Sequence, residues 1–205
     1  MKILAIGMNY KKHIMELHPG MPLPTTPVIF MKPDSALLRD GKPFFLPDFC
    51  ERVDYEAEVV VRISRLGKNI AERFAHRYYD AVTVGIDFTA RDLQRKFSAG
   101  GKPWDLSKGF DGSGVIGDWI PIEKVPNIQN VNFHLDIDGR TVQTGNTSDM
   151  LFTVDQILSY VSRFCTLKMG DILFTGTPAG MGPVHIDNHL QGYLEDEKVL
   201  DFNVK

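Results

Sequence analysis

Cysteine is scarce. Cys50 and Cys165 are the only two in 205 residues, far apart and in no metal-ligand spacing. That excludes a disulfide scaffold or a zinc-finger framework and points to a reduced compartment. No apolar run approaches the roughly 20 residues that a membrane helix needs, so no membrane partner is expected. Basic clusters are lacking as well. The formal net charge is −3 and nothing longer than pairs such as Lys11-Lys12 stands out, so the chain has no electrostatic footprint for nucleic acid. The opening Met1-Lys2-Ile3-Leu4-Ala5-Ile6-Gly7 is too short for the apolar core of a secretory signal. The expectation is a soluble, cytoplasmic protein. Internal repeats and low-complexity tracts are also missing, and this length predicts one domain over residues 1–205.

What is present is an ordinary globular composition, 43% hydrophobic and 24% charged. Strand patterns are expected over 2–7, 28–31, 43–47, 55–63, 82–88, 172–175 and 198–204, with Lys32-Pro33-Asp34-Ser35 as a turn. Phe133, Leu135 and Ile137 alternate with polar residues before Asp138-Gly139, which predicts a hairpin returning over 140–145. Helices are expected over 10–17 with Asn9 as N-cap, over 70–79 with Asn69 as N-cap, and over 90–97. A fourth, over 153–165, carries a Thr153/Gln156 capping box and an apolar stripe of Val154, Ile157, Leu158, Val161 and Phe164. Irregular strands with few helices predict a mixed α+β, mainly β architecture rather than a doubly wound one.

Several side chains carry chemical possibilities. Glu56 and Glu58 head the apolar run Val59-Val60-Val61, and residues two apart on a strand project to one face. Two like charges that close require a cation, a shared proton or open water. The run over 82–88 reaches Asp87, and the three acids together suit a hard divalent cation. The alternative is that the two glutamates face solvent on an edge strand while Asp87 caps a helix. His13 and Glu16 share a helix face. Either the carboxylate fixes the imidazole so that it can take a proton from water, or both simply face solvent. Lys108, among glycines, either steadies an oxyanion or is exposed. The loop Thr175-Gly176-Thr177-Pro178-Ala179-Gly180-Met181-Gly182 lacks the ending of a phosphate-binding loop, yet its amides and hydroxyls could receive a small carboxylate.

In order along the chain, these segments read Gly7-Met8-Asn9-Tyr10-x-x-His13-x-x-Glu16, Glu56-x-Glu58, Gly85-Ile86-Asp87-Phe88-Thr89-Ala90-Arg91-Asp92, Lys108 and Thr175-Gly176-Thr177-Pro178-x-Gly180-x-Gly182. They span almost the whole chain. Together they resemble the fumarylacetoacetate hydrolase family, most closely its small single-domain acylpyruvases and related 2-oxo-diacid hydrolases and isomerases. The resemblance implies a rolled β-sheet domain with short flanking helices, assembled as a homodimer or larger. It places Mg²⁺ or Mn²⁺ on Glu56, Glu58 and Asp87, and the water-activating dyad on His13 and Glu16. Lys108 falls on the active-site lysine, Arg91, Gln94 and Thr177 on substrate-binding positions, and residues about 10–27 on a flexible lid. Two departures stand out. Gly109 replaces the serine that commonly follows the lysine, which is expected to loosen Lys108. The region after Gly182 is shorter and more acidic, with Glu195-Asp196-Glu197.

The function so implied is a divalent-metal-dependent hydrolase that cleaves a carbon–carbon bond in acylpyruvates and other 2,4-dioxo acids, such as fumarylpyruvate or acetylpyruvate. His13 would deprotonate the attacking water, and the metal and Lys108 would stabilise the leaving enolate. The same residues also admit isomerisation of a 2-hydroxyhepta-2,4-diene-1,7-dioate, decarboxylation of oxaloacetate, or hydration of a 2-oxo-pentenoate. Isomerisation and decarboxylation depend less on the dyad, since neither needs an attacking water. A non-catalytic 2-oxo-acid-binding protein is the reading from outside enzymology, and it has no need of a general base. In every case the small-molecule partner is a 2-oxo acid.

Overall fold

The computed structural model describes residues 1–17 and 19–205; the loop expected from residue 18 and the lid expected over 10–27 include residue 18, which lies outside the described residues. Strand outweighs helix, as expected, and the helices are short. The β-branched run Val59-Val60-Val61 is fully buried and forms the strand Ala57–Ile63 in the middle of the largest sheet. It pairs antiparallel with Tyr79–Asp87 on one side and Ile172–Phe174 on the other. Ile3–Gly7 runs parallel to Ile172–Phe174, and Val28–Lys32 closes that edge. Gly114–Ile116 and Leu37–Leu38 extend the opposite edge.

Both faces of this curled sheet are covered, which is why its strands read as continuous apolar runs rather than alternating ones. Val59, Val61, Val84 and Ile86 enter the large core. Val60 points the other way and packs with Ile3, Ala5, Ile172 and Phe174. Glu56 and Glu58 share the parity of Val60, so both carboxylates lie on that second face, at the end of the sheet.

The large core is completed by residues of a four-stranded antiparallel sheet, ordered Arg140–Asn146, Asn132–Ile137, His189–Leu194 and Glu197–Asn203. Its first hairpin is the one expected. Asp138 (φ 53°) and Gly139 (φ 74°) are both left-handed, the signature of the two-residue turn that matches strand twist. The helix Val154–Val161 adds its apolar stripe to the same core, behind the predicted Thr153/Gln156 capping box.

Several expectations are corrected. The helix expected over 70–79 is a 3₁₀ segment, Glu72–Arg77, because Tyr79 already belongs to a strand; Asn69 caps nothing, and Ser162 Oγ accepts the Ile70 N–H instead at 2.8 Å. The fourth helix stops at Val161, so Phe164 leaves the stripe and is exposed. Asn9 does not cap the helix Lys11–Leu17. Its side chain donates to Phe152 O (3.0 Å) and Thr175 O (2.8 Å) and accepts from Phe152 N (2.9 Å), stapling three segments. The strand expected over 43–47 reduces to a single bridge between Phe44 and Val204. Lys32, read as part of a turn, is the buried last residue of a strand.

Gly85 pairs with Glu58 across the two central strands. A Cβ there would lie 2.6 Å from Val115 O, 2.8 Å from Val60 Cγ2 and 2.9 Å from Phe174 Cε1. The backbone carbonyl cannot swing away without breaking sheet pairing. Gly85→Ala is therefore expected to cost about 1–3 kcal/mol by overpacking, read as a lowered midpoint in urea denaturation.

Candidate metal centre and active site

Glu56 occupies the break between Val53–Tyr55 and Ala57–Ile63. Its carbonyl accepts the Asp87 N–H at 2.8 Å, and Glu58 pairs in register with Gly85. Sheet pairing thus brings Asp87 opposite Glu56 on one face. One carboxylate oxygen from each of Glu56, Glu58 and Asp87 lies within 4.8 Å of the others, and all three residues are buried. The solvent-facing edge-strand alternative is excluded by that burial.

Cations interleave with these acids. Lys108, the last residue of the one-turn helix Asp105–Lys108, is buried rather than loop-exposed. Its Nζ donates to Glu56 Oε2 and Asp87 Oδ2, both at 2.7 Å. Lys32 Nζ lies 2.6 Å from Asp87 Oδ1, donates to Lys108 O, and reaches Ser113 Oγ at 3.0 Å. Arg91 donates to Asp54 Oδ2 at 2.8 Å, to Glu56 Oε1 and to Gln94 Oε1. The loosening of Lys108 expected from Gly109 does not occur. A Cβ at position 109 would meet Asp105 O and Pro33 Cδ, each at 2.9 Å, so glycine fits tightly where it stands.

Electrostatics separate the two glutamates. Burial raises Glu58, and Asp87 and Glu56 push it further, well above the usual carboxylate range; its one anchor is the Gly176 N–H at 2.7 Å. Burial acts on Glu56 too, but Lys108, Arg91 and His13 outweigh it and hold that carboxyl far below its ordinary value. Without a metal, Glu58 therefore takes up a proton more readily than Glu56. The set fits a divalent cation. Its donors are all carboxylate oxygens, the preference of Mg²⁺ and Mn²⁺, and among the described residues Glu58 has no cationic hydrogen-bond partner.

A cavity of about 270 Å³ opens beside the trio, with His13, Gln94, Arg95, Trp104 and Thr177 in its wall. His13 is buried. Burial, aided by Arg91 and Lys108 against the pull of Glu56 and Glu16, lowers its pKa, and its Nδ1 has no hydrogen-bond partner among the described residues. Glu16 is exposed and does not bond to His13; it accepts the Gly180 N–H at 3.1 Å. Thr177 Oγ1 donates to Ala57 O (2.9 Å) and accepts from Gln143 Nε2 (2.8 Å), so its hydroxyl proton is already used. The sequence reasoning missed Lys32, Asp54 and Arg95. Asp54 was detectable, since it precedes Glu56 and Glu58 at the same spacing of two. Lys32 carried no such signal.

The sequence profile of the fumarylacetoacetate (FAA) hydrolase C-terminal domain matches residues 2–205. The chain belongs to the fumarylacetoacetate hydrolase family. Among family relatives, a mitochondrial oxaloacetate tautomerase of Caenorhabditis elegans is 36% identical over 204 residues, covering 100% of this chain and 94% of its own. A mitochondrial oxaloacetate decarboxylase of Dictyostelium discoideum is 38% identical over 184 residues, covering 89% of this chain and 84% of its own. The crystal structure of a fumarylpyruvate hydrolase from Pseudomonas aeruginosa, in complex with Mn²⁺ and pyruvate, superposes with a TM-score of 0.91 at 30% identity, covering 100% of this chain and 89% of that one.

Glu58→Gln separates the charge of Glu58 from its shape. A carboxyl whose folded-state pKa is raised costs nothing below its unfolded value near 4.3 and loses stability as pH rises from there through the raised value. The opposite contribution of Glu56 is common to parent and variant. Metal-free Glu58→Gln should therefore be the more stable protein at neutral pH. Mn²⁺ at a hundredfold excess over its Kd should raise the parent's Tm by about 5–10 °C and leave the variant's unchanged. Thermal melts with Mn²⁺ and with chelator check both outcomes.

Proposed function

We propose that this chain is a divalent-metal-dependent enzyme of short 2-oxo acids, in which His13 takes and returns a proton at the carbon next to the 2-oxo group. The observation that carries the reading is a buried imidazole, held neutral and with a free Nδ1, in the wall of the same cavity as the three-carboxylate cluster. Glu56, Glu58 and Asp87 would hold Mg²⁺ or Mn²⁺, which when bound supplies Lewis-acid polarisation of the 2-oxo oxygen.

The protein groups divide the remaining work. Two of the three N–H donors of Lys108 go to Glu56 and Asp87, which leaves one for the oxygen on which negative charge develops. Gln94 gives its Oε1 to Arg91, so its amide N–H groups are oriented and free to bind the substrate carboxylate. The Thr177 backbone N–H, which has no acceptor among the described residues, serves the same carboxylate. Ile14 and Phe30 exclude water from one side.

Moving a proton between C3 and the 2-oxo oxygen interconverts keto and enol forms. No attacking water is required, which suits an arrangement in which Glu16 binds Gly180 rather than His13. The names of the tautomerase and decarboxylase relatives support this reading. Hydrolysis of a 2,4-dioxo acid is the second reading. It is favoured by His13 and Glu16 lying three apart on one helix and by the pyruvate in the Pseudomonas structure. There Glu16 must leave Gly180 and orient His13, which deprotonates a water that attacks the distal carbonyl; the carbon–carbon bond then breaks to give pyruvate and a carboxylic acid. A lid over residues 10–27, closing as Glu16 moves, and a homodimeric assembly belong to the same proposal.

A panel of oxaloacetate, acetylpyruvate, fumarylpyruvate and a hydroxymuconate analogue, with Mn²⁺ or chelator, tests it. Turnover should require the metal, and His13→Ala should lower it about 10²- to 10⁴-fold while Mn²⁺ binding survives. The acidic limb of the parent's pH–rate profile should fall below pH 6.5, because burial lowers His13 from that value. Glu16→Gln should spare keto–enol exchange and impair hydrolysis. Absence of metal-dependent turnover throughout the panel overturns the proposal in favour of a binding protein.

A further inference from the structure

We propose that Arg95 reads a second carboxylate and is the residue by which this site discriminates 2-oxo dicarboxylic acids from monoacids. This rests on the 2-oxo acid reading above and names the part of the substrate remote from the reacting carbon.

The helix Arg91–Ala99 presents Arg91, Gln94, Arg95 and Ser98 to the cavity. Spacings of three, four and seven put these residues on one helix face. Two of the cationic residues in the cavity wall are already paired with acids beside the trio: Lys108 holds Glu56 and Asp87, and Arg91 holds Asp54, Glu56 and Gln94. Arg95 is exposed at the mouth and, among the described residues, makes no ion pair or hydrogen bond. A partner was within reach. Asp92, three residues back on the same helix, offers the usual side-chain pair, yet its Oδ2 accepts the Glu51 N–H at 3.3 Å instead.

Arg95 lies four residues beyond Arg91, about 6 Å along the helix axis. It therefore stands roughly one turn along the helix from the arginine that is bonded to Glu56, and it is exposed where Arg91 is buried. The same cavity wall has an apolar part, built from Ile14, Leu17, Phe30 and Trp104. Trp104 is fixed there by its Nε1–H bond to Ser98 Oγ at 3.0 Å and by edge-on contact with Phe30, ring centroids 6.0 Å apart. A ligand whose 2-oxo acid head lies among the trio, Lys108 and Gln94 would run along this wall and end at an uncommitted guanidinium. A short carbon spacer bearing a terminal carboxylate matches both features, and the planar fork of arginine suits a carboxylate bidentately. A terminal methyl group gains nothing from that cation.

The test compares binding of 2-oxoglutarate with that of 2-oxopentanoate, the same carbon chain ending in methyl, by calorimetry on the Mn²⁺-loaded parent and Arg95→Gln. Arg95 is exposed and unbonded, so the variant should fold as the parent does. The parent should bind the diacid at least tenfold more tightly, and Arg95→Gln should weaken the diacid about tenfold to a hundredfold while leaving the monoacid unchanged. In kinetics the variant's KM should rise for oxaloacetate and not for acetylpyruvate, with kcat retained. A parent without diacid preference, or a variant that weakens neither acid or both equally, overturns the assignment. Because calorimetry needs no turnover, the two proposals fail separately. A diacid preference lost in Arg95→Gln without turnover of any compound leaves Arg95 standing and removes the enzymatic reading. Metal-dependent turnover without diacid preference does the reverse.

Discussion

Four carboxylates and three cationic side chains meet at one buried end of the main sheet, and the local structure is arranged to keep them there. Asp54, Glu56, Glu58 and Asp87 face Lys32, Arg91 and Lys108 with almost no access to water. Buried ion pairs recover their desolvation cost only where geometry is good and the remaining lone pairs and protons are satisfied. Here each cation holds at least two groups: Lys108 bridges two acids, Arg91 spans two acids and an amide, and Lys32 ties Asp87 to the Lys108 carbonyl. Glu58 is the exception, held by the Gly176 amide rather than by a cation.

That amide depends on a chain of local constraints. Gly176 has φ 103°, and a Cβ there would come within 2.7 Å of Asn9 Cβ. Asn9 in turn is pinned to Phe152 and Thr175. The loop after Ile172–Phe174 is thus pressed against the segment leading into the His13 helix, and its Gly180 amide takes Glu16. One loop anchors a metal-ligand candidate and the carboxylate of the expected dyad together. Through this loop the buried acidic trio is tied to the helix that carries His13, although the two are far apart in sequence.

The fold was legible where periodicity is strong. The Asp138-Gly139 hairpin, the Thr153/Gln156 capping box and the buried run at 59–61 follow from local rules that tertiary contacts only confirm. Legibility failed where a distant segment claims the residue. Asn9 has ideal capping chemistry but bonds to Phe152 and Thr175, and Asn69 gives way to Ser162. Tyr79 closes the helix expected over 70–79, yet sheet pairing takes it. In the site, Glu56 and Glu58 could be placed together because a strand has a period of two, whereas Lys32 and Arg95 gave no sign of their position.

By itself, then, the sequence determined the family, the main strands and the acids that could gather on one face, since each follows from spacing within a segment or from motif order. Tertiary structure decided which of those charges are buried and which partner each one has. Sheet register sets Asp87 against Glu56, and the Asp105–Lys108 turn carries Lys108 between them. It also decided that Glu16 holds a loop amide while Arg95 stands unpaired among the described residues. These are contacts across tens of residues, and their energies come from desolvation and direction, neither of which is written in local spacing.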